Sequence, residues 1–258
     1  MSIEMFSLKE KKVLITGAAN GNGLEITKGL LDCHAKVIMA DSDLKALKKN
    51  YEIFKRRGLP VYMEYVDLNI ISEIKNLIKN IKKKHSDLSV IVNNAGITYS
   101  EEIDKYDLEK WNTTHNINLL APFVLIRDLV KTLKKNKTKN PSIINITSLN
   151  SELGFTNNPA YIASKGGLKQ LSKSFSNDLG KFNIRSNCIG PGYIKTKMTA
   201  KSFADKERNK FIKEKTILGR WGKSSDLVGA VIFLASDASL YITGQDIYVD
   251  GGWLAKGL

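Results

Sequence analysis

Cysteine is nearly absent from these 258 residues: Cys33 and Cys188 stand far apart and form no C-x-x-C pair. A disulfide scaffold and a thiolate zinc site are therefore not expected. Cys188, in "SNCIGPG", reads as a buried structural thiol. The three histidines, His34, His85 and His115, share no ligand spacing such as H-E-x-x-H, so no metal site is expected either. Proline is also scarce, at 5, and the chain is 42% apolar and 26% charged, which excludes collagen-like order and disorder. No apolar run approaches the length of a membrane span. The N-terminal "MSIEMFSLKEKK" has no signal-peptide stretch, so the expected setting is cytoplasmic with no membrane partner. What the chain has in excess is positive charge, with 40 Lys plus Arg against 26 Asp plus Glu and a formal charge of +14. No zinc finger, recognition-helix signature or aromatic–basic stripe accompanies it, so no nucleic-acid partner is expected.

Apolar strand-type runs alternate with amphipathic stretches along the whole chain. "KVLIT" at 12–16 ends in the glycine-rich "GAANGNG". A helical stretch follows with Leu24, Thr27, Leu30 and Leu31 on one face, and "KVIMAD" closes at Asp41. Helices are predicted near 43–57, 71–84, 160–180 and 225–236, with a long helical region at 105–135 broken near Pro122. Strands are predicted in "PVYMEYVDL", "LSVIVNNAG", "SIINITS", "NIRSNCIGPG" and "DIYVDGG". Apolar strands that barely alternate, separated by helices, imply a mostly parallel sheet covered on both faces. The expected fold is α/β, a doubly wound sheet of about seven strands in a single domain over 1–258. The polar segment 195–216 is too long for an ordinary loop and is expected to form short helices as a lid over the site. The lysine runs at 82–84 and 134–139 fall near predicted helix ends, where solvated lysines belong.

Gly17, Gly21 and Gly23 lie directly after a strand and open a helix. Small residues there let the backbone approach a diphosphate, and the helix N-terminus offers free N–H groups and a favourable dipole. The competing reading is a tight strand-to-helix turn without a ligand. Asp41 stands 18 residues after Gly23 at a strand end, where a carboxylate accepts bonds from an adenosine ribose and repels a 2′-phosphate. Neither Asn20 nor Ser42 supplies a compensating cation, although Lys45 is close in sequence. NAD is expected over NADP. Asp67, at the end of the third strand, suits an adenine amino group; its alternative role is to cap the following helix.

Tyr161 and Lys165 are four apart at the start of a predicted helix, so they share a face. A phenol with a pKa of about 10 is a poor base near neutrality, and an ammonium one turn away stabilises its phenolate. Ser148, at a strand end, suits a hydrogen bond to a substrate oxygen. Asn118, in a helix over the sheet, suits the ordering of a water that links Lys165 to solvent. Taken singly, each of these residues also has an ordinary structural role.

These elements together resemble the short-chain dehydrogenase/reductase family almost from end to end. The shared motifs are "TGAANGNG" at 16–23, Asp67, "NNAG" at 93–96, Asn118 in "NINL", Ser148, "YIASK" at 161–165, "PGYIKT" at 191–196 and "VDGG" at 249–252. The resemblance implies a Rossmann-type fold, hydride transfer between a nicotinamide and a carbonyl or alcohol, and a homotetramer. It implies Tyr161 as general acid/base, Lys165 holding the nicotinamide ribose and lowering the Tyr161 pKa, Ser148 positioning the substrate, and Asn118 completing a proton relay. The cofactor would be lined by Gly17, Asn20, Gly21, Asn22, Gly23, Asp41, Asp67, Leu68, Asn94, Ala95, Gly96, Tyr161, Lys165, Pro191, Gly192, Ile194 and Thr196. The family usually has isoleucine where this chain has Asn22, which puts a polar side chain into an apolar spot but keeps the backbone N–H.

The C-terminal stretch, from "GPGYIKTKM" through "TILGRWGKSSDLVGAV" to "VDGGWLAKGL", resembles the sugar-acid branch of the family. That implies a small hydroxy or keto substrate carrying a carboxylate, with Lys195, Lys197 and Lys201 placed to attract the anion. "ILGRW" at 217–221 lacks the proline often seen before this region. A 3-oxoacyl-thioester reductase is the alternative, disfavoured by Asp41. A non-catalytic nucleotide-binding member of the fold would have lost Tyr161 or Lys165, and both are present.

Overall fold

In the computed structural model, which describes residues 3–256, seven strands form one sheet in the order β3-β2-β1-β4-β5-β6-β7, and every neighbouring pair is parallel. The strands are β1 (Lys12–Thr16), β2 (Lys36–Asp41), β3 (Val61–Tyr65), β4 (Val90–Asn93), β5 (Ser142–Ile146), β6 (Arg185–Pro191) and β7 (Asp246–Val249). The crossover helices are α1 (Gly21–Asp32), α2 (Leu44–Arg56), α3 (Ile71–Lys84), α4 (Leu108–His115), α5 (Ala121–Lys135), α6 (Pro159–Gly180) and α9 (Val228–Ala235). Between β6 and α9 lie two short helices, α7 (Ala200–Ala204) and α8 (Lys206–Lys215), inside the segment expected to fold that way.

Parallel strands buried on both sides need two cores, and two are found. Val13, Ile15, Val37, Met39, Val92 and Ile144 point toward Ile26, Leu30 and Leu31 of α1, Leu47 of α2, and Val231 and Leu234 of α9. Their neighbours Leu14, Ile38, Ile91 and Ile143 point the other way, toward Ile74 and Ile78 of α3, Leu125 and Leu129 of α5, and Phe175 of α6. This alternation within each strand reads as a continuous apolar run because both faces are covered.

Two boundaries differ from the sequence expectation for physical reasons. The strand predicted through "NNAG" stops at Asn93, because the Asn94 and Ala95 N–H groups both turn to the Thr16 hydroxyl at 3.1 Å. The helical region is not broken at Pro122. A π-helical turn, Asn116–Leu120, carries the chain from α4 into α5, and Pro122 sits in the first turn of α5, directly after it. The disruption therefore falls just upstream of the proline, and it falls beside Asn118. Among the described residues, no helix is long and apolar enough to cross a membrane.

Strand order reverses between β1 and β4, and a crevice opens above their carboxyl ends. In open α/β sheets this switch point is where ligands bind.

Candidate active site

The glycine turn forms one wall of the crevice. Gly17 has φ +66°, and a Cβ there would sit 2.8 Å from Ala95 Cα. A Cβ on Gly23 would collide with the Gly17 carbonyl and the Asn94 amide. These two glycines let the chain ends of β1 and β4 close on each other. Asn94 seals the junction, its Nδ2 donating to the carbonyls of Thr16 at 2.9 Å and Gly17 at 3.1 Å. Gly21, at φ +52°, is different: its nearest neighbour is Thr196, 3.8 Å from a Cβ placed there, so it leaves open space. Asn20 is the N-cap of α1, yet its side chain makes no cap and instead donates to Asp43 Oδ2 at 3.0 Å. The first N–H groups of the 12-residue α1 are thus left without a side-chain acceptor, which suits a diphosphate. Asn22 lines the crevice, and its Oδ1 accepts from the Ser224 hydroxyl at 2.8 Å. The polar residue in the apolar position is paired.

At the end of β2 the Asp41 carboxylate accepts from the Ala19 N–H and the Asp43 N–H, each at 2.8 Å. Asp43 caps α2 through the Ala46 N–H at 3.0 Å. That bond, the Asn20 amide and the cations Lys197 and Lys45 hold its pKa below the ordinary carboxylate value. Two acids therefore stand where the sequence pointed to one. Asp67 does not cap α3, whose N-cap is Ile70; its Oδ1 accepts from the Asn69 N–H at 2.8 Å in a turn before the helix. Leu68 beside it is buried.

Above β4 and β5 the crevice widens into a cavity of about 680 Å³. Ser148, Tyr161 and Lys165 line it together with Asn94, Gly96, Pro191, Gly192, Ile194 and Thr196, which brings most of the expected residues to one place. Lys165 is 2% exposed, and its Nζ donates to the Ile146 carbonyl at 2.7 Å and lies 5.7 Å from the Tyr161 ring centre. Burial without a carboxylate lowers its pKa to about 8. Burial also pushes the Tyr161 phenol above its ordinary value, and the nearby Ser148 hydroxyl pulls it partly back. Ser148 Oγ is held by Asn150, accepting from its N–H at 3.2 Å and facing its Oδ1 at 3.1 Å. A Cβ on Gly96 would stand 3.3 Å from Lys165 Nζ, so this glycine keeps the ammonium accessible.

Asn118 is fully buried and spends its amide on protein. Its Oδ1 accepts from the Ile97 N–H at 2.9 Å, and its Nδ2 donates to the Ile97 carbonyl and to Ser164 Oγ, each at 3.0 Å. The side chain fixes the loop after β4 to the helix that carries Tyr161 and Lys165.

Among the described residues, no acidic side chain lines the cavity. Beyond the residues above, its walls are hydroxyls and amides from Thr98, Ser100, Asn150, Thr156 and Asn158, with Phe155, Tyr193 and Met198, and two further cations, Lys201 and Arg208. Of the three lysines expected to attract an anion, only Lys201 lines it. Lys195 Nζ sits 3.9 Å over the Phe203 ring, and Lys197 acts on Asp43. Arg208 went unnoticed in the sequence because one arginine among 34 lysines and five other arginines carries no local signal. Only the placement of α8 over the cavity reveals it.

Fold and site together define an oxidoreductase acting on CH–OH groups. The family model described as enoyl-(acyl carrier protein) reductase matches residues 17–254, and the chain belongs to the short-chain dehydrogenase/reductase family. Over 257 residues it is 33% identical to the 2-dehydro-3-deoxy-D-gluconate 5-dehydrogenase of Formosa agariphila, covering 99% of this chain and 97% of that protein. The crystal structure of a gluconate 5-dehydrogenase from Burkholderia cenocepacia, in complex with NADP and tartrate, matches with a TM-score of 0.93 at 28% identity, covering 98% and 99% of the two chains. A 4-hydroxyisoleucine dehydrogenase complexed with NADH matches with a TM-score of 0.87 at 31% identity, covering 96% of this chain and all of that one.

Proposed function

We propose that this chain is a nicotinamide-dependent dehydrogenase that interconverts a secondary alcohol and a ketone on a sugar acid, with NAD(H) preferred over NADP(H). The observation that carries the substrate class is the cavity wall: hydroxyls and amides suited to a polyol, extra cations beyond the Tyr161–Lys165 pair, and no carboxylate among the described residues. Relatives bearing gluconate-type names support the same class.

The nicotinamide supplies or accepts the hydride when bound. The protein's share is proton handling and orientation. Tyr161 exchanges a proton with the substrate oxygen, Ser148 hydrogen-bonds that oxygen, and the Lys165 cation favours the phenolate over the phenol. The free N–H groups of α1 receive the diphosphate, and the open side of Gly21 leaves it room. Asp41 and Asp43 bear on cofactor choice. Both carboxylates stand at the end of β2, where a 2′-phosphate would meet two negative charges and a ribose hydroxyl would meet acceptors. NADP and NADH each occur among the similar structures, so this preference rests on Asp41 and Asp43.

An acyl-thioester substrate fits less well, because its hydrocarbon chain would lie against the polar side chains of Thr98, Ser100, Asn150 and Asn158. Initial rates with NAD and NADP across D-gluconate, 2-dehydro-3-deoxy-D-gluconate, neutral hexitols and 3-hydroxyacyl thioesters test the assignment. The expected result is highest kcat/KM with a hexonate and NAD, and Tyr161→Phe should lower kcat roughly a hundredfold or more. A preference for acyl thioesters with NADPH would overturn it.

A further inference from the structure

We infer that Arg208, on the cavity wall with Tyr193, is the group that binds the substrate carboxylate and so selects acids over neutral polyols; this rests on the sugar-acid reading above. The argument begins with where the arginines of this chain are spent. Arg57 pairs with Asp32, Arg127 with Asp128 and Arg220 with Asp226. Arg185 is buried on Ser239 Oγ and the Ser236 carbonyl, and Arg56 Nε donates to the Glu52 carbonyl. Arg208 has no carboxylate within ion-pair distance among the described residues, and it lines the cavity that holds Ser148 and Tyr161.

The nearest acid in sequence is turned away from the guanidinium. Asp205 is the N-cap of α8, and its Oδ1 accepts from the Arg208 backbone N–H at 2.8 Å. The cap fixes the start of α8 and leaves the guanidinium unneutralised.

Tyr193 supplies the second half of the site. It follows Gly192 at the end of β6, lines the same cavity as Arg208, and lies near enough for the guanidinium charge to favour its phenolate. Its ring is wedged among Phe155, Trp221 and Trp253, at centre distances of 6.4, 5.6 and 4.8 Å. A phenol held this firmly limits the sweep of a long side chain. Among the described residues no carboxylate engages the guanidinium, so its planar fork is free to take two carboxylate oxygens side by side. Lys201, the other cation on this wall, is exposed as Arg208 is, but it sits on the five-residue α7 as a compact, strongly hydrated point charge without the planar fork that matches a carboxylate.

Two functions are thereby separated within one cavity. Ser148 and Tyr161 address the carbon that changes oxidation state, and Arg208 addresses the end that does not react. Binding energy at a non-reacting group sets which carbon is presented to the reacting one. A substrate lacking the carboxylate loses that register.

The test measures binding and turnover separately in the full chain with NAD. D-gluconate binding to the NAD complex is followed by calorimetry, and kcat and KM are measured for D-gluconate and for the neutral hexitol in which CH2OH replaces the carboxylate. Arg208→Met should raise the gluconate Kd and KM roughly ten- to a hundredfold, the range of a charge-assisted hydrogen-bonded pair. Hexitol parameters should stay within about twofold, which a merely structural role would not produce. Arg208→Lys keeps the charge and the stem, and should fall between the two. Gluconate that binds in an Arg208-dependent way without being oxidised would sink the proposed activity and leave this assignment standing. Gluconate that is oxidised equally well by Arg208→Met would overturn the assignment and leave the activity standing. A loss of acid preference in Lys201→Met but not in Arg208→Met would also overturn it.

Discussion

A lysine that is 2% exposed and has no carboxylate beside it is poor material for stability. Lys165 donates to one carbonyl, and burial lowers its pKa from 10.5 to about 8. Below about pH 8 the folded and unfolded chains both hold this proton, and the desolvation cost is constant. Between about 8 and 10.5 the unfolded chain binds more protons, so this site adds stability as the pH rises. At pH 7, Lys165→Met should abolish turnover while raising stability by about 1–3 kcal/mol, the usual return for replacing a buried charge with an apolar group of similar volume. Thermal unfolding measured beside kinetics checks both halves. The same value bears on catalysis, because reduction of a ketone needs the phenol proton and the ammonium together. The kcat/KM for reduction should be level below pH 7 and fall as the pH rises through about 8. A profile that stays level to pH 10 would rule out Lys165 as the charge that assists Tyr161.

At the level of elements, the site depends on a helix that does not run regularly. The π turn at Asn116–Leu120 sits between α4 and α5, and π turns of this kind recur at functional positions. Within it, Asn118 serves three protein groups, two on half-buried Ile97 and one on buried Ser164. Asn118→Ala should cost about 1–3 kcal/mol for each group left unpaired. It should also lower kcat more than it raises KM, since the loop after β4 and the start of α6 would lose their tie. An unchanged melting temperature would show that the amide is not the tie. Such a role is not legible in the sequence, where "NINL" reads as helix and nothing signals a π turn or its partners. Tyr161 and Lys165 are legible because their register is local: four residues on a helix share a face whatever the tertiary structure does. Gly17 and Gly23 are legible for a similar reason, because a strand-to-helix turn this tight excludes Cβ atoms. Asp43, Tyr193 and Arg208 are not. Each acquires its place from segments distant in the chain, and neither periodicity nor composition carries that information.

Across the whole molecule, the lysine excess has a geometry of its own. Lys55 and Arg56 close α2, Lys82, Lys83 and Lys84 close α3, and Lys134 and Lys135 close α5. Cations are favoured there, because the unpaired carbonyls at a helix C-terminus carry partial negative charge. In a parallel α/β sheet each crossover helix runs back against the strands. Its C-terminus therefore lies at the sheet edge opposite the crevice. Much of the +14 charge thus sits on the far side from the candidate site, separated from it by more than the roughly 8–10 Å over which charge is felt at ordinary ionic strength. The field at the cavity mouth then comes mainly from the local cations Lys201 and Arg208. Salt dependence should accordingly be modest, with kcat/KM for a hexonate falling about two- to fivefold between low and high salt. The neutral hexitol should show no such fall. In the Lys201→Met, Arg208→Met double variant the hexonate should lose most of its salt sensitivity while the lysines at the helix ends remain. If the double variant kept the full dependence, the distant lysines would be steering the substrate, and the charge of the whole surface would matter more than the two cations at the mouth.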